Sequence, residues 1–272
     1  MPRLQDTAAA WLSAERAVVL VEVTEARGSA PREAGTRMLV SADGCAGTIG
    51  GGHLELKAIA QARAMLESRE SAPQSAHYPL GPALGQCCGG AVTLGFSILD
   101  FAALRAWPPS PQRFHLQLYG AGHVGRAIAR ALAPLNVVVD WIDEREDEFP
   151  KSFDDHNAPW PAHIRKLCVD AVDAEVRNAP PDAFYLVLTH QHDLDQAITE
   201  AILKRADFGF LGLIGSKTKK QRFIHRFEQR GFAPALIERI TCPIGIAGIT
   251  GKEPEVIAAA VVTQLLQVSN RK

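Results

Sequence analysis

A glycine-rich turn constrains the fold of this chain more than any other feature. Gly120, Gly122 and Gly125 are the glycines of a GxGxxG motif. The apolar run Phe114–Tyr119 directly before the motif predicts a β-strand, and the apolar spacing over residues 124–133 predicts a helix. A strand, a glycine turn and a helix in this order are typical of the start of a Rossmann domain. The second half of the chain is therefore predicted to contain a parallel sheet.

Each glycine of the motif has a predicted task. Gly120 permits the tight turn, Gly122 lets the backbone approach a phosphate, and Gly125 lets the helix pack closely on the sheet. The unpaired N–H groups and the positive dipole end of the helix attract an anion. These glycines are therefore candidates for nucleotide binding, with the alternative that they serve only the turn and the packing.

A carboxylate is expected about 20 residues after such a turn, where it binds ribose hydroxyls. Asp143 directly follows the next predicted strand, Val137–Ile142, and is the first candidate. Asp140 and Glu144 lie close to it and are the alternatives. We therefore expect one of these three acids at the carboxyl edge of the sheet.

Strands and helices alternate through the rest of the second half. Further strands are predicted at 167–169, 184–188 and 208–214, and helices at 194–205, 218–229 and 253–268. Such alternation predicts a parallel sheet with helices on both faces. The first half is predicted to have strands at 17–23, 37–40, 45–49 and 91–99 and one helix at 54–68.

A proline-rich segment separates the two halves. Residues 107–111 contain three prolines, which interrupt both helices and sheets. We therefore place a smaller N-terminal α+β domain at 1–110 and a Rossmann-like α/β domain at 111–272.

Composition excludes several classes of protein. The 272 residues carry a net charge of -1, whereas a general nucleic-acid-binding protein would show a basic excess. No apolar run reaches the roughly 20 residues of a membrane helix, and the N-terminus lacks the apolar core of a signal peptide. The odd number of cysteines, 5, fits a reducing compartment. We expect a cytoplasmic protein that binds neither nucleic acid nor membrane.

Cys87 and Cys88 are adjacent and are followed by Gly89 and Gly90. Zinc ligands are usually separated by two to four residues, and neighbouring cysteines make a poor disulfide pair. A thiolate in an open glycine loop can bind a soft metal or accept sulfur. The alternative is that both side chains are small buried apolar groups. The remaining cysteines are expected to be structural; they are Cys45, Cys168 and Cys242.

The sequence allows either a binding role or a structural role for two clusters of polar residues in the second half. A basic helix start can attract an anion or form a solvated helix face; it contains Ser216, Lys217, Lys219, Lys220 and Arg222. The other cluster follows the strand at 184–188 and can bind a metal or cap a helix; it contains His190, His192, Asp193 and Asp195.

Three segments of the first half together resemble the XdhC/CoxI family of xanthine dehydrogenase accessory proteins. They are Gly28–Arg32 (GSAPR), Gly47–Glu55 (GTIGGGHLE) and Gly85–Gly90 (GQCCGG). Segments of the second half agree with the same family; they are GAGHVGRAIA from Gly120, Thr189-His190, GLIGS from Gly212 and CPIG from Cys242. The resemblance covers nearly the whole chain, and the combination is far more specific than any one motif.

The resemblance implies an accessory factor rather than an enzyme. Members of the family are expected to bind molybdenum cofactor, to support its sulfuration by a cysteine desulfurase, and to deliver it to the molybdenum subunit of apo xanthine dehydrogenase, in purine catabolism. We also expect a homodimer. The rival hypotheses are an NAD(P)-dependent oxidoreductase and a nucleotide-sensing module, because a Rossmann domain by itself fits all three.

The resemblance also assigns candidate site residues. The second cysteine of the loop is the more general family feature, so Cys88 is the expected molybdenum ligand, with Cys87 beside it. The cofactor has a terminal phosphate, which glycine-rich backbone can bind; the candidates are Gly50, Gly51 and Gly52 or the turn from Gly120. His53 is included in the site, although a Cys often stands there in the wider family, which weighs against a two-thiol metal site. Arg32 and Arg37 can bind the phosphate or be solvated loop charges.

Overall fold

The computed structural model describes residues 4–68, 72–80, 89–108 and 111–270. The chain divides into two compact units, Pro2–Pro109 and Ser110–Lys272. The division falls within the proline-rich segment.

The N-terminal unit contains an antiparallel sheet. Its elements in chain order are α1 (Leu4–Ser13), β1 (Val18–Arg27), β2 (Arg37–Ser41), β3 (Cys45–Gly47), α2 (Gly52–Ser68), β4 (Gln74–Pro79), β5 (Ala91–Ile98) and α3 (Phe101–Ala106). The strand order is β3-β2-β1-β5-β4. The sheet forms because alternate residues of its central strand serve two different hydrophobic clusters. Val19 and Val21 pack in the cluster that contains Leu54 of α2, whereas Val18 packs with Ala8 of α1.

Three elements of this unit were not predicted from the sequence; they are α1, β4 and α3. Helix α1 has an apolar stripe at helical spacing, which packs in one cluster and was overlooked; it consists of Leu4, Ala8, Trp11 and Leu12. Helix α3 has only 6 residues, too few to show a clear periodicity. Strand β4 (QSAHYP) lacks β-branched residues and is held by its pairing with β5. The description of the first half as having a single helix is therefore wrong.

The C-terminal unit contains a parallel sheet. Its helices and strands in chain order are β6 (His115–Tyr119), α4 (His123–Leu132), β7 (Val138–Asp143), β8 (Ile164–Cys168), β9 (Phe184–Val187), α5 (His192–Arg205), β10 (Phe210–Leu213), α6 (Lys217–Gln229), α7 (Pro234–Ile237), β11 (Ile240–Thr241) and α8 (Pro254–Ser269). The strand order is β11-β10-β9-β6-β7-β8. Counted from β6, this is the order 6-5-4-1-2-3 of a dinucleotide-binding Rossmann domain.

Helices cover both faces of the parallel sheet. Ile128 of α4 and Val261 of α8 pack with Leu116 and Leu118 of β6 on one face. Ile198 of α5 and the aromatic side chains of α6 pack on the other face. The predicted fold class, a Rossmann-like α/β domain with a smaller α+β domain, is confirmed. The short elements α7 and β11 were not predicted, because two to four residues carry too little periodicity.

Among the described residues, no helix is both long and apolar enough to cross a lipid bilayer.

Candidate ligand-binding sites

The glycine turn of the C-terminal unit is built by close backbone contacts. Gly120 has a φ of 116°, which favours glycine, and its N–H donates to Ile142 O at 2.9 Å. A Cβ on Gly125 would lie 2.0 Å from Gly120 O. The indole N–H of Trp141 donates to the same carbonyl oxygen at 3.0 Å. Gly120 and Gly125 are therefore required by the turn itself.

Gly122 differs from the other two glycines of the motif. It is the N-cap of α4, with a φ of -67°, and no atom lies within 4 Å of the position of a Cβ. The backbone is open to the outside at this point, at the end of a helix where unpaired N–H groups attract anions. The structure thus separates one glycine suited to ligand approach from two that serve packing.

Asp143 is not an accessible ribose ligand. Only 4% of its side chain is exposed. Its carboxylate accepts hydrogen bonds from the Ala121 N–H at 2.6 Å, from the Arg145 N–H at 3.0 Å, and from Arg145 Nε and Nη2 at 2.9 Å each. Burial acts to raise the pKa of Asp143, but these hydrogen bonds outweigh it and hold the pKa below its usual value. The expectation that Asp143 binds a ribose is corrected, because its carboxylate oxygens already accept hydrogen bonds from Ala121 of the glycine turn and from Arg145.

Of the two alternative acids, only Glu144 is open to a ligand. Asp140 is 5% exposed and is bound by His115 Nε2 at 2.8 Å and by Arg165 Nε at 2.7 Å. Glu144 is 33% exposed, and its Oε1 lies 3.4 Å from Gln191 Nε2. The accessible carboxylate at this edge of the sheet is therefore Glu144.

The structure brings together glycines of the N-terminal unit that are distant in sequence. A Cβ on Gly90 would lie 2.5 Å from Arg27 O and 2.6 Å from Ser29 O. On the other side of the same loop, a Cβ on Gly50 would lie 2.7 Å from the ring of Pro31. The loop at 28–32 is therefore packed between Gly50 and Gly90, and only glycine allows both approaches.

The triple glycine binds a carboxylate of the protein. Gly50, Gly51 and Gly52 all have positive φ, at 125°, 75° and 64°. Glu55 Oε2 accepts from the Thr48 hydroxyl at 2.6 Å, from the Ile49 N–H at 3.1 Å and from the Gly51 N–H at 3.0 Å. The prediction of a phosphate cradle is corrected here, because the Gly51 N–H is already bonded to Glu55 and the Gly50 N–H to the Thr48 hydroxyl.

Open space and two exposed basic side chains remain around this glycine cluster. Among the described residues, no atom lies within 4 Å of a Cβ position on Gly51 or on Gly89. The side chains of Arg32 and His53 are exposed. Cys87 and Cys88 lie outside the described residues, and the sequence joins Cys88 directly to Gly89. The geometry therefore leaves the role of the two thiols a prediction.

The cysteines that are described differ in exposure. Cys45 and Cys168 are exposed, and Cys242 is buried. Burial raises the pKa of the Cys242 thiol, which Lys219 and Lys220 partly oppose. Of the three cysteines expected to be structural, only Cys242 is buried as that expectation requires.

In the polar cluster after β9, Asp195 binds the preceding Thr189 and forms an ion pair, whereas no described side chain caps the start of α5. Asp195 is 1% exposed and accepts from the Thr189 hydroxyl at 2.7 Å and from Lys219 Nζ at 2.5 Å. Lys219 Nζ also donates to Ile214 O at 2.9 Å. Within the described part of the chain, no group of three His, Cys, Asp or Glu side chains is placed to hold a metal ion. The metal interpretation of this cluster is therefore not supported.

A cleft that sequence analysis did not delineate lies beside this ion pair. It has a volume of about 480 Å³ and lies between the starts of α5 and α6. Ser216, Arg222 and Arg226 line it together with Asp193. Arg226 was not among the predicted site residues, although the predicted helix at 218–229 places it one turn after Arg222, which is the signal that could have found it.

The fold and the candidate sites define a class of two-unit proteins. An α+β unit with an antiparallel sheet and a glycine cluster is followed by a Rossmann domain with a GxGxxG turn. A family model described as the XdhC Rossmann domain matches residues 116–265, and one described as the XdhC and CoxI family matches residues 11–79. The chain belongs to the XdhC and CoxI family, as the resemblance predicted.

Two known proteins show what this chain is similar to. The uncharacterized protein YqeB of Escherichia coli is 33% identical over 260 residues, which is 92% of this chain and 43% of that protein. The chain thus spans less than half the length of this curated relative. A crystal structure described as a xanthine dehydrogenase from Bacillus halodurans matches with a TM-score of 0.79 and 19% identity, over 98% of this chain and 96% of the other. At that identity the match shows the fold alone.

Proposed function

We propose that this chain is a maturation factor for a xanthine dehydrogenase. In this proposal it holds molybdenum cofactor in the N-terminal unit, supports sulfuration of the cofactor by a cysteine desulfurase, and passes it to the molybdenum subunit of the apo-enzyme. Membership of the XdhC and CoxI family supports the association with xanthine dehydrogenase. The expected homodimer belongs to the same proposal.

One observation carries the proposal. The family segments of the N-terminal unit are far apart in sequence, yet the loop at 28–32 packs between Gly50 and Gly90. Packing explains why Gly50 and Gly90 are glycines, and a φ of 75° explains Gly51, but neither explains Gly89, which no described residue approaches. Glycines that face open space leave room for a ligand to approach the backbone.

The residues around this cluster fit an anionic pterin ligand. Arg32 and His53 are exposed donors, and the aliphatic part of Arg32 lies 3.7 Å from the Cβ position of Gly50. Arg32 can bind a terminal phosphate through its guanidinium group. The thiol of Cys88, which directly precedes Gly89, is the soft ligand that molybdenum would take. When bound, the cofactor supplies the metal chemistry of the target enzyme, and this chain supplies shelter and orientation.

The proposal is tested by binding of anaerobically isolated molybdenum cofactor to the purified full chain. Retention is measured by native mass spectrometry and by absorption for wild type, Cys88→Ser, Cys87→Ser and the exposed control Cys45→Ser. We expect loss of retention for Cys88→Ser only, with circular dichroism unchanged. Equal retention by Cys88→Ser and wild type would refute the thiolate ligand.

A test in cells addresses the role as a maturation factor. In a strain that lacks this protein, xanthine dehydrogenase polypeptide is expected to accumulate short of molybdenum, as measured by metal analysis of the purified enzyme. Normal molybdenum occupancy in that strain would contradict the role, whatever the result of the binding assay.

A second candidate function, a nucleotide site on the Rossmann domain, is favoured by the open position of Gly122 and the accessible Glu144. The glycine turn suits a diphosphate, and the acid suits ribose hydroxyls. Fluorescence titration with NAD and NADP tests it, and turnover of a bound nicotinamide would favour an oxidoreductase over a nucleotide sensor. Absence of saturation with either dinucleotide at millimolar concentration would remove this candidate.

A further inference from the structure

The cleft between α5 and α6 has the size of a small-molecule site. It lies at the carboxyl ends of β9 and β10, and its volume is about 480 Å³. Ligands of open α/β sheets bind outside the carboxyl ends of the strands, in pockets of roughly 300–1,000 Å³. The cleft is therefore larger than a single ion needs and suits a ligand as large as a mononucleotide.

Arg222 provides a positive charge that no acid of the described chain neutralises. Arg222 and Arg226 are four residues apart on α6 and so lie on one face of the helix. Arg226 donates to Gln196, and the charge of Lys219 is matched by buried Asp195. No hydrogen bond or ion pair joins Arg222 to any residue that the structure describes. An anion in the cleft would give its guanidinium group a partner.

The start of α6 adds donors of two further kinds. The Ser216 side chain is the N-cap and accepts from the Lys219 N–H at 3.3 Å. The N–H groups before Lys219 have no partner within the helix and lie at its positive dipole end. The hydroxyl of Thr218 also lines the cleft. Backbone N–H groups at a helix start, together with a guanidinium group, are typical donors to a phosphate.

The rest of the lining suits the remainder of a phosphate ester. Ile214 and the ring of Phe223 provide an apolar part of the lining. Asp193, from the start of α5, places a carboxylate in the same cleft, where it can accept hydrogen bonds from sugar hydroxyls. We infer that this cleft binds a phosphate-bearing small molecule of mononucleotide size, with the phosphate between the start of α6 and Arg222.

This site differs from the two sites described above. Gly122 and Glu144, which would serve a dinucleotide, do not line the cleft. Binding here requires neither the thiol of Cys88 nor molybdenum cofactor. Failure of the maturation proposal would therefore leave this inference intact, and the reverse is also true.

Calorimetric titration of the full chain with adenosine 5′-monophosphate tests the inference, with adenosine as the probe that lacks the phosphate. We expect the monophosphate to saturate and adenosine to bind at least about tenfold more weakly, because a charge-assisted hydrogen bond is lost. Arg222→Gln should raise the Kd for the monophosphate by about tenfold. Arg130→Gln removes the same charge from an exposed position on α4 and should leave the Kd unchanged.

Gly122→Val distinguishes the cleft from the glycine turn. We expect this substitution, which fills the space above the turn, to leave binding of the monophosphate unchanged. The inference is overturned if Gly122→Val abolishes binding while Arg222→Gln does not, since the phosphate then sits on the turn. It is also overturned if adenosine binds as well as its monophosphate, or if neither binds at millimolar concentration.

Discussion

The Ala121 backbone N–H donates a 2.6 Å hydrogen bond to the buried carboxylate of Asp143. This bond joins the second residue of the glycine motif to the last residue of β7. It places the acid of the motif inside the protein, as a support for the turn, and leaves the next residue, Glu144, exposed to a ligand. The same sequence pattern therefore has a structural acid and an accessible acid side by side.

Replacing Asp143 by Asn is expected to destabilise the C-terminal unit. The change removes the charge from a group that accepts from Ala121 and from both ends of the Arg145 guanidinium group. Hydrogen bonds to charged groups contribute about 1.5–3 kcal/mol each, so we expect a loss of about 2 kcal/mol in the free energy of unfolding. Urea denaturation followed by circular dichroism measures it. Glu144→Gln is the control, and an equal loss in both variants would contradict the support role.

Acid should destabilise the fold partly through Asp140. Burial acts to raise the pKa of Asp140, but the hydrogen bond and charge of His115, with Arg165, hold the pKa below its usual value. A carboxyl whose pKa is lower in the folded chain stabilises the fold above its unfolded pKa, and this contribution is lost as pH falls through the folded pKa. The free energy of unfolding should therefore decrease below about pH 4.

Asp140→Asn should show a smaller decrease than wild type over the same range, because the amide does not titrate. Urea denaturation at about pH 6 and about pH 3 measures the difference. Asp147→Asn changes an exposed acid and should follow wild type. If Asp140→Asn loses as much stability on acidification as wild type does, the salt bridge is not the source of the pH dependence.

The glycines of the turn should respond differently to one and the same substitution. Gly125→Ala places a Cβ 2.0 Å from a backbone oxygen, so the helix must shift, and we expect a loss of about 3 kcal/mol. In Gly122→Ala the new Cβ lies in open space, and alanine readily adopts the φ at this position. The only expected loss in the free energy of unfolding, up to about 1 kcal/mol, comes from the weaker preference of alanine for the N-cap. Thermal denaturation of the two variants compares them. Equal losses would show that the turn does not impose the packing described here.

The Rossmann domain could be predicted from the sequence because its signals are local. Strand, glycine turn and helix are neighbours in the chain, and each buried strand is a short apolar run bounded by polar residues. Helix α1 was missed although the spacing of Leu4, Ala8 and Trp11 gives it an apolar stripe, and α3 was missed because its 6 residues carry too little periodicity. Strand β4 was missed because its partner β5 lies beyond the cysteine loop in sequence.

The candidate sites depend on contacts between segments that are distant in sequence. The sequence shows that Gly50 and Gly90 are glycines, but not that the loop at 28–32 packs between them. It places Asp143 where an acid is expected, but not Arg145 folded back onto it. The Glu55 carboxylate in the triple-glycine turn is a similar case, because a ligand and an internal side chain compete for the same N–H groups.

Glu55→Ala should destabilise the N-terminal unit. It removes the acceptor of the Thr48 hydroxyl and of two backbone N–H groups, and leaves a strained glycine turn without its anchor. We expect a loss of about 2 kcal/mol, by the usual contribution of hydrogen bonds to a charged group. Glu67→Ala, at an exposed position in the last turn of the same helix, is the matched control in urea denaturation. Similar stability of the two variants would mean that Glu55 does not anchor the turn.

The buried pair of Asp195 and Lys219 leads to a prediction with a compensating variant. Asp195 is 1% exposed, and Lys219 is the only cation the described residues place on it, so removing the lysine leaves a buried charge without a counterion. Breaking such a pair costs about 3–5 kcal/mol. Asp195 keeps the Thr189 hydroxyl and N–H as donors. We therefore expect Lys219→Met to lower the free energy of unfolding by about 3 kcal/mol, the lower end of this range. Lys217→Met, an exposed lysine at the start of the same helix, should change little.

Adding Asp195→Asn to Lys219→Met should restore part of the lost stability, because the double variant no longer buries a charge. A double-mutant cycle in urea measures the coupling between the two positions. If the double variant is less stable than Lys219→Met by the full effect of Asp195→Asn alone, the two side chains act independently. In that case the ion pair does not fix the start of α6, and the geometry of the neighbouring cleft must depend on the cap at Ser216 and on the packing of Phe223 instead.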